Sequence, residues 1–586
     1  MAAAEKAESR YALRALSLLA VLVLAKSLSL YLLRDGAAWS PWAPVAYFWQ
    51  DVLVALLFLA GDRLLARPLV AWMSYAAIAM YAAVNVPITA VLASPLTRTL
   101  ARASGGALAD SITHYVTAAN VVGLSLPLVA AAAVPFVLSR GSWDLSTRAR
   151  RLVAGGALLL VAIGPAATSR TETRGLHRNV LFALLPTPLP AADAAAKVSD
   201  WRASPFPAAM QDDLTPLAGA ARGRNVVLIA LESTAARYLR VYGADVDPMP
   251  TVTSLARRAL VFDRAYAVYP ESIKGLFATL CSRYPLFDTV PEIYATLACD
   301  ALPEQLAAAG YRTALFHSGR FDYLGMRSII DGRGYHLLED AGAIGGNVRS
   351  SFGVDEASTV RRMLAWIDER TAGAPFFLTY LPVAGHHPYP TTRRGPFAGE
   401  RDYDRYLNAL HEGDDAVGVL LDGLRARGLD HSTLFVVFGD HGEAFGQHPG
   451  NYAHTLFAYE ENVRVPLLIA APGLVDEARR VTRTASVIDL APTILSLLGL
   501  PTPSSYLGAS LLDPAPRMAL FFTDYSLGWL GLRDGCWKYL LEIDADRSRL
   551  FDVCADPGEQ VDVAGSTPER TQAYRTRVAQ WQRAVQ

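Results

Sequence analysis

Residues 433–443 read Thr-Leu-Phe-Val-Val-Phe-Gly-Asp-His-Gly-Glu, a β-branched and aromatic run that ends on Asp440 and His441. A second apolar run, Asn225–Leu231, ends in the same way on Glu232. Such runs predict buried strands of an α/β sheet, and open α/β proteins build their sites at the carboxyl edge of the strands. We therefore expect Glu232, Asp440 and His441 to meet at one edge of a sheet.

Two adjacent strand residues normally face opposite sides of a sheet. Asp440 and His441 can therefore share one site only if the strand ends at this point. Gly439 and Gly442 flank the pair and are expected to permit the turn through their conformational freedom.

Strand-like and helical segments alternate over the second part of the chain. Strands are predicted at 225–231, 312–316, 376–382, 433–439 and 465–470, and helices at 355–370, 404–427 and 487–499. This alternation predicts βαβ units, and hence an α/β domain with a mainly parallel central sheet covered by helices on both faces.

The first 170 residues are rich in Ala, Leu and Val and contain few charges. Five apolar stretches have the length of a membrane-spanning helix: 11–33, 43–60, 69–93, 115–138 and 152–168. Five in succession favour membrane spans over buried helices of a soluble domain. We predict a five-helix transmembrane domain over 1–169, a membrane-face linker over 170–223 and an exported catalytic domain over 224–586. A small C-terminal subdomain of the last is expected from about residue 510.

Basic residues predict the orientation of these spans. They are concentrated in the N-terminal tail and in the second and fourth loops, as Lys6, Arg10, Arg14, Arg63, Arg67, Arg140, Arg148, Arg150 and Arg151. The other two loops hold only Arg34, Arg98 and Arg102. Cytoplasmic loops carry the excess of Lys and Arg, so the N-terminus is expected inside and everything after Thr168 outside. The first stretch is similar to a signal peptide, but four further spans favour a retained anchor.

All four cysteines lie in the part that this topology exports. Two local disulfides, Cys281–Cys299 and Cys536–Cys554, are predicted for an oxidising compartment. Four cysteines allow three connectivities, and buried free thiols are the alternative.

The composition does not indicate a nucleic-acid or nucleotide partner. The formal net charge of −1 gives no electrostatic attraction for nucleic acid. The sequence also has no P-loop and no Gly-x-Gly-x-x-Gly after a predicted strand.

The candidate ligands combine carboxylates, imidazoles and a hydroxyl. Glu232, Asp440 and His441 are joined by His454, 13 residues after His441. A mixed oxygen and nitrogen set of this kind suits Zn or Mn better than a thiolate-preferring metal. The combination indicates metal-assisted chemistry on a phosphate or sulfate ester.

These motifs resemble the sulfatase/alkaline phosphatase superfamily, in the membrane-anchored branch of lipoteichoic acid synthases and phosphoethanolamine or phosphoglycerol transferases. Asn225–Glu232 is similar to the first metal strand of the family and Gly439–Glu443 to its second metal motif. His386, in Gly385-His-His-Pro-Tyr389, resembles the His-x-Pro element. The resemblance covers roughly residues 224–500 and continues into a sulfatase-like tail with Trp537-Lys-Tyr, Leu550-Phe-Asp and Asp556-Pro-Gly-Glu559.

The nucleophile follows from the same resemblance. Sulfatases carry Cys-x-Pro-Ser-Arg, whose Cys or Ser is oxidised to formylglycine, and Thr-Gly-Arg-Tyr-Pro follows nine residues on. Here Cys281-Ser-Arg-Tyr-Pro285 stands at that offset and places Ser272 at the nucleophile position. Lys274 and Leu276 replace the Pro and Arg of the modification motif, so an unmodified serine is expected. The related transferases mostly use threonine there, and serine is a departure.

The resemblance assigns further roles by position. Glu232, Asp440, His441 and Ser272 would bind one divalent metal, Zn or Mn. His386 and His454 would hold a second ion or the departing phosphate, with hydrogen-bonded loop histidines as the alternative and His387 a substitute for His386. Glu443 is expected to support a ligand rather than to bind the metal.

Three more residues are tentative substrate contacts. Lys274 would contact phosphate or be a solvated lysine. His317 and Arg320 resemble the headgroup-binding stretch of lipoteichoic acid synthases, with surface polar residues as the alternative. Within the spans, Lys26 and Asp51 are expected at one depth, as a structural ion pair or near a lipid headgroup.

The function implied is a two-step transferase in a bacterial inner membrane, with its catalytic domain periplasmic or extracellular. Ser272 would take a phosphoethanolamine, phosphoglycerol or similar group from a membrane phospholipid, and a glycan or lipid would accept it. A tethered sulfuric or phosphoric ester hydrolase is the main alternative. A catalytically inactive membrane sensor is a third, disfavoured because no ligand is missing.

Overall fold

Five apolar helices begin the computed structural model, which describes residues 2–33, 40–92, 94–97, 115–140, 147–185, 200–207, 213–287, 289, 291–346, 348–350, 353–369, 373–525 and 528–585. Within these residues, the helices long and apolar enough to cross a membrane are α1 Ala2–Leu32, α2 Ala43–Leu65, α3 Pro68–Leu92, α4 Ala118–Arg140 and α5 Thr147–Ser169. Five apolar helices at the five predicted stretches are confirmed. The protein is therefore membrane-anchored.

The α/β domain lies at one end of this bundle. Arg547 donates to the carbonyl oxygen of Ser169 at the end of α5 (3.3 Å), and Thr97, beyond α3, donates to the carbonyl oxygen of Tyr525 (2.7 Å). The opposite end carries a buried pair between Arg14 and Asp62 (2.7 Å). The arrangement agrees with alternating spans whose catalytic side is the end predicted to be outside.

Sidedness itself stays a prediction, based on the loop arginines. Reporter fusions made after Arg151 and after Arg170 test it, because α5 separates the two positions. We expect extracytoplasmic phosphatase-reporter activity from the second fusion only. Activity from both fusions, or from neither, would contradict the proposed topology.

Beyond the bundle, helices alternate with strands. The remaining helices are α6 Pro250–Ala256, α7 Ser272–Cys281, α8 Leu302–Ala308, α9 Arg327–Ile330, α10 Ala341–Ile344, α11 Glu356–Asp368, α12 Asp402–Ala426, α13 Glu460–Val463, α14 Leu490–Leu498 and α15 Pro568–Val585. The strands are β1 Asn225–Leu231, β2 Leu260–Tyr266, β3 Arg312–His317, β4 Leu337–Glu339, β5 Val348–Ser350, β6 Gly353–Val354, β7 Phe376–Leu381, β8 Thr433–Gly439, β9 Ala444–Phe445, β10 Tyr452–Ala453, β11 Arg464–Val465, β12 Leu467–Ala470, β13 Arg479–Ser486, β14 Ala519–Thr523, β15 Trp529–Asp534, β16 Trp537–Glu542 and β17 Arg547–Asp552.

The central sheet has the order β11-β2-β12-β8-β1-β7-β3-β4, with β13 beside β2. Strands β8, β1, β7, β3 and β4 run parallel, whereas β12 is antiparallel to both β8 and β2. The predicted α/β class with a mainly parallel sheet is confirmed.

In the central sheet, three strands were not predicted, namely β2, β13 and the three-residue β4, and β11 and β12 were predicted as one strand. Pro466 divides 465–470 into β11 and β12, because proline has no N–H for the ladder. β13 is an edge strand whose arginines hide the strand pattern, and β2 contains the polar pair Asp263-Arg264.

Helices cover both faces of the sheet, as expected. Val226, Leu228 and Ala230 of β1 pack into one core with α7 and α14. The intervening residues Val227, Ile229 and Leu231 pack into a second core with α11 and α12. Burial on both faces explains why this strand is apolar throughout rather than alternating.

The C-terminal strands β14–β17 form a separate antiparallel sheet, packed against α15. Buried Lys538 of this sheet pairs with Glu460 (3.2 Å) and Glu559 (2.9 Å), and the first pair ties the sheet to α13. Both predicted disulfides, Cys281–Cys299 and Cys536–Cys554, are present.

The described part of the predicted linker connects the bundle to the C-terminal sheet. Glu172 pairs with Arg547 and Arg549, each at 2.6 Å, and Arg178 pairs with Asp544 at 3.3 Å. Residues 186–199 and 208–212 of the linker lie outside the described residues.

Lys26 and Asp51 form the expected ion pair, at 2.5 Å. Lys26 also donates to the carbonyl oxygens of Tyr47 (2.8 Å) and His177 (3.1 Å), and Asn179 donates to Asp51 (2.5 Å). The pair therefore joins α1 and α2 to the start of the linker. This favours a structural ion pair over a role near a lipid headgroup.

Candidate active site

Glu232 and Asp440 lie side by side because their strands are parallel neighbours in register. Leu231 of β1 is opposite Gly439 of β8, so the next residue of each chain emerges at the same edge. Glu232, Asp440 and His441 are all buried, and one ligand atom of each lies within 4.8 Å of those of the other two. The edge-of-sheet arrangement expected from the two runs is what the structure shows.

The turn after β8 brings Asp440 and His441 to the same side. Asp440 Oδ1 accepts from the backbone N–H of Ser233 (3.0 Å) and of His441 (2.7 Å). A Cβ at Gly439 would lie 2.3 Å from the Thr234 carbonyl oxygen, and one at Gly442 would lie 2.0 Å from that of Glu461. Both positions thus require glycine because a neighbouring backbone leaves no room for a side chain. The expected reason, a backbone conformation that only glycine adopts easily, does not apply.

Ser272 lies directly beside this cluster. It is the first residue of α7, and its Oγ donates to Glu232 Oε2 at 2.9 Å and is 3.1 Å from His441 Nε2. Glu271 caps the helix by accepting from the N–H groups of Ile273 and Lys274. The hydroxyl therefore lies at a helix N-terminus, where backbone N–H groups favour an anionic group.

The cluster is electrostatically incomplete without a cation. Burial and the neighbouring Glu232 carboxylate raise the pKa of Asp440 to about 7. His441 Nδ1 donates to the Gly442 carbonyl oxygen (3.0 Å), so that Nε2 is the ring nitrogen that faces Ser272 and the carboxylates. Two carboxylates, one imidazole nitrogen and a hydroxyl fit a divalent ion of the Zn or Mn type.

His454 stands against His441, with 4.2 Å between ring centroids. Its Nδ1 donates to Glu443 Oε2 at 2.6 Å, and Glu443 also accepts from the Tyr389 hydroxyl. Burial lowers the pKa of His454 well below its ordinary value, so the imidazole is neutral. Glu443 thus orients His454, and its role as a supporting carboxylate stays a prediction.

His386 and His387 point in different directions. His386 Nδ1 donates to the carbonyl oxygen of His387 (2.6 Å), and the preceding Gly385 packs so closely that a Cβ there would lie 2.5 Å from the Glu232 carbonyl oxygen. His387 stacks on Tyr115, with Nε2 3.2 Å from its hydroxyl. His387 is therefore engaged with the membrane domain, which favours His386 as the histidine of the site.

The three tentative substrate residues occupy different places. Lys274 is 2% exposed and pairs with Asp524 at 3.0 Å, so it is not a solvated lysine. His317 is buried and lines a small cavity together with Glu232, Ser272 and Asp440. Arg320 lies three residues after His317, and its guanidinium is directed towards Gly342: a Cβ built on that glycine would lie 3.8 Å from Nη1.

Sequence reasoning missed several partners of these residues. Asp524 holds Lys274 from 250 positions away, and Tyr115 reaches His387 from the membrane domain. Tyr389, which contacts Glu443, stands inside the motif Gly385-His-His-Pro-Tyr389. Of these three partners, it is the one that a sequence motif could have indicated.

Comparison with known proteins gives two groups of relatives. Residues 224–500 match the Sulfatase family model. The chain is 24% identical over 440 residues to Arylsulfatase K of Bos taurus, covering 59% of this chain and 79% of that protein. It is 24% identical over 326 residues to Lipoteichoic acid synthase 2 of Bacillus subtilis, covering 52% and 49%. It is 30% identical over 214 residues to Arylsulfatase K of Xenopus laevis, covering 33% and 39%.

Among solved structures, similarity in fold extends over somewhat more than half of the chain. The lipoteichoic acid synthase LtaP from Listeria monocytogenes has a TM-score of 0.52 at 16% identity, covering 63% of this chain and 93% of that one. Ps i-CgsB also has a TM-score of 0.52, at 20% identity, covering 62% and 93%. The chain spans about half or less of some curated relatives, 39% of the Xenopus protein and 49% of the Bacillus one.

Proposed function

We propose that the protein, whose residues 224–500 match the Sulfatase family model and follow a five-helix membrane anchor, is a membrane-anchored, metal-dependent phosphotransferase. It moves a phosphoethanolamine, phosphoglycerol or similar group from a phospholipid to an extracytoplasmic glycan or lipid. The observation that carries the proposal is the Ser272 hydroxyl, 2.9 Å from Glu232 and 3.1 Å from His441.

Four residues of the chain would hold the metal. Glu232 and Asp440 supply carboxylate oxygens, His441 supplies Nε2 and Ser272 supplies Oγ. A bound Zn or Mn ion lowers the pKa of a ligating hydroxyl and offsets charge on a transferring phosphoryl group. His386 and His454 would contact the phosphoryl oxygens or a second ion.

The first step joins Ser272 to the headgroup phosphate. Ser272 Oγ forms a bond to phosphorus while the bond from phosphorus to the diacylglycerol oxygen breaks. The serine proton passes to Glu232 Oε2, to which the hydroxyl already donates. The departing diacylglycerol oxygen takes one proton from solvent water.

The second step reverses these bond changes with a new partner. A hydroxyl of the acceptor attacks the same phosphorus, and the bond to Ser272 Oγ breaks. The acceptor gives its proton to solvent water, and Glu232 returns its proton to Ser272. Every group of the site then regains its starting state.

Attachment to the membrane supports transfer from a lipid. The catalytic domain is tied to the bundle by the Glu172 and Arg178 ion pairs, and His387 beside the site contacts Tyr115 of the membrane domain. A site held at the lipid surface meets phospholipid at a high effective concentration, which favours reaction with it.

A membrane-tethered sulfuric or phosphoric ester hydrolase is the second candidate. The similarity to Arylsulfatase K, which extends over 79% of the bovine protein, favours it. The same Ser272 would form the intermediate, and water would replace the acceptor. Lys274 and Leu276, in place of the Pro and Arg of the sulfatase modification motif, weigh against a formylglycine enzyme.

An assay with headgroup-labelled phospholipid separates the two candidates. Full-length protein in vesicles is expected to release diacylglycerol and to pass the label to a glycan or lipid acceptor. We expect label release to rise at least about tenfold when acceptor is added, because the acceptor must outcompete water for the intermediate. Release of free headgroup phosphate at the same rate with and without acceptors would contradict transfer and support the hydrolase.

A further inference from the structure

A cavity of about 490 Å³ lies where the outer ends of the membrane helices meet the catalytic domain. Its membrane side is formed by Leu32 of α1 and by Val91 and Leu92 of α3. Its catalytic side is formed by the loop around β9 and β10, including Tyr452 and Thr455. The volume falls within the range of pockets that hold small organic ligands, roughly 300–1,000 Å³.

The lining of the cavity mixes apolar and polar side chains, and Asp402 of α12 contributes one carboxylate. The helix ends supply leucine and valine side chains, while Asn120 and Thr455 supply polar ones. Arg174, from the linker, places a guanidinium in the wall, and no carboxylate in the described part of the chain lies within ion-pair distance of it. Such an amphipathic wall, open to the ends of membrane helices, is complementary to a lipid rather than to a sugar.

The cavity adjoins the candidate active site. His387 and Ala453 belong to its wall, and each is the chain neighbour of a histidine beside the cluster, His386 and His454. Tyr115 of the membrane domain, also in the wall, stacks on His387. A molecule in this cavity can therefore lie with one end towards Ser272 and the other between the helix ends.

We propose that this cavity binds the glycerol ester region and the first acyl carbons of the phospholipid donor, with Arg174 donating to the lipid's ester or phosphate oxygens. This inference rests on the proposed function, since it assumes that a lipid is the donor. The apolar helix ends hold the acyl carbons, and the headgroup phosphate is directed towards Ser272. Released diacylglycerol then leaves between α1 and α3 into the membrane.

Photocrosslinking tests lipid binding without turnover. The full-length Ser272→Ala protein is placed in phosphatidylcholine vesicles that contain phosphatidylethanolamine or phosphatidylglycerol with a diazirine near the start of one acyl chain. We expect crosslinks on the cavity-side ends of α1, α3 and α4. Val91→Trp should fill the cavity and lower their yield by about tenfold or more. Met80→Trp, on the exposed face of the same helix, should leave it unchanged.

A second variant covers the case in which Val91→Trp does not fold. Arg174→Gln should lower the yield by about fivefold or more, because it removes a charged donor. Arg170→Gln is the matched control, since Arg170 lies over Trp42 and does not line the cavity. In the Ser272 protein, Arg174→Gln should reduce headgroup release from lipid while sparing hydrolysis of bis(p-nitrophenyl) phosphate.

The outcomes separate the lipid site from the proposed function. Cavity crosslinks in a protein that transfers no headgroup would keep the site and overturn the function. Undiminished transfer by Val91→Trp, with crosslinks confined to the outer faces of the bundle, would keep the function and overturn the site. If the cavity gave no lipid crosslinks and instead bound a soluble glycan, it would be the binding site of the acceptor. The inference would then be wrong.

Discussion

Ser272→Ala is expected to abolish turnover, by on the order of 10⁵-fold or more, as is usual when a nucleophile that forms a covalent intermediate is removed. The Ser272 hydroxyl contacts both Glu232 and His441, which places it at the centre of the cluster. Incubation of the wild type with donor lipid, followed by peptide mass analysis, should show a headgroup phosphate on Ser272. The Ala variant should give neither product nor adduct.

Controls distinguish a lost nucleophile from a disturbed site. Ser233 donates to Glu232 Oε1 at 2.8 Å, so Ser233→Ala removes a hydrogen bond near the cluster and should cost only about tenfold. Ser272→Thr keeps the hydroxyl and should retain measurable activity. Wild-type activity in Ser272→Ala would show that the nucleophile assignment is wrong. Formylglycine at position 272 would move the protein to the sulfatases.

Asp440→Asn is expected to lose both bound metal and activity, with a decrease in turnover of about 10³-fold or more. The substitution preserves shape, and the amide oxygen can still accept from Ser233 and His441, but the charge facing Glu232 is gone. Metal content by elemental analysis and turnover should fall together. Added Zn or Mn should raise the melting temperature of the wild type and not that of the variant, because only a ligand that binds the folded state stabilises it.

The metal-free proteins provide an independent check. Without a cation, Glu232 and Asp440 are two buried carboxylates in one cluster, so neutralising one relieves repulsion. Metal-free Asp440→Asn should therefore melt no lower than the metal-free wild type. Asp414→Asn is the matched control, since that buried carboxylate only caps α6 through Thr251 and Val252 and should leave metal content unchanged. Full metal binding by Asp440→Asn would remove Asp440 from the ligand set.

Much of this protein follows from local patterns in the sequence. The five spans are continuous apolar stretches, and β1 and β8 were predicted with the bounds that they have, because strands buried on both faces are apolar at every position. The same runs end on Glu232 and Asp440, and parallel neighbours must deliver their end residues to one edge. The disulfide pairs were also predictable, since each closes a short loop of the chain.

Other features depended on how distant segments pack. The antiparallel β12, the glycines that admit a neighbouring backbone and the partner of Lys274 involve contacts between residues far apart in the chain. The same holds for the stacking of Tyr115 on His387 and for the cavity between the bundle and the catalytic domain. Side-chain periodicity reports which face of an element is buried, but not which element covers it. For this reason the sequence determined the elements and the site-bearing strand ends, and only the tertiary structure decided how the membrane helices meet the site.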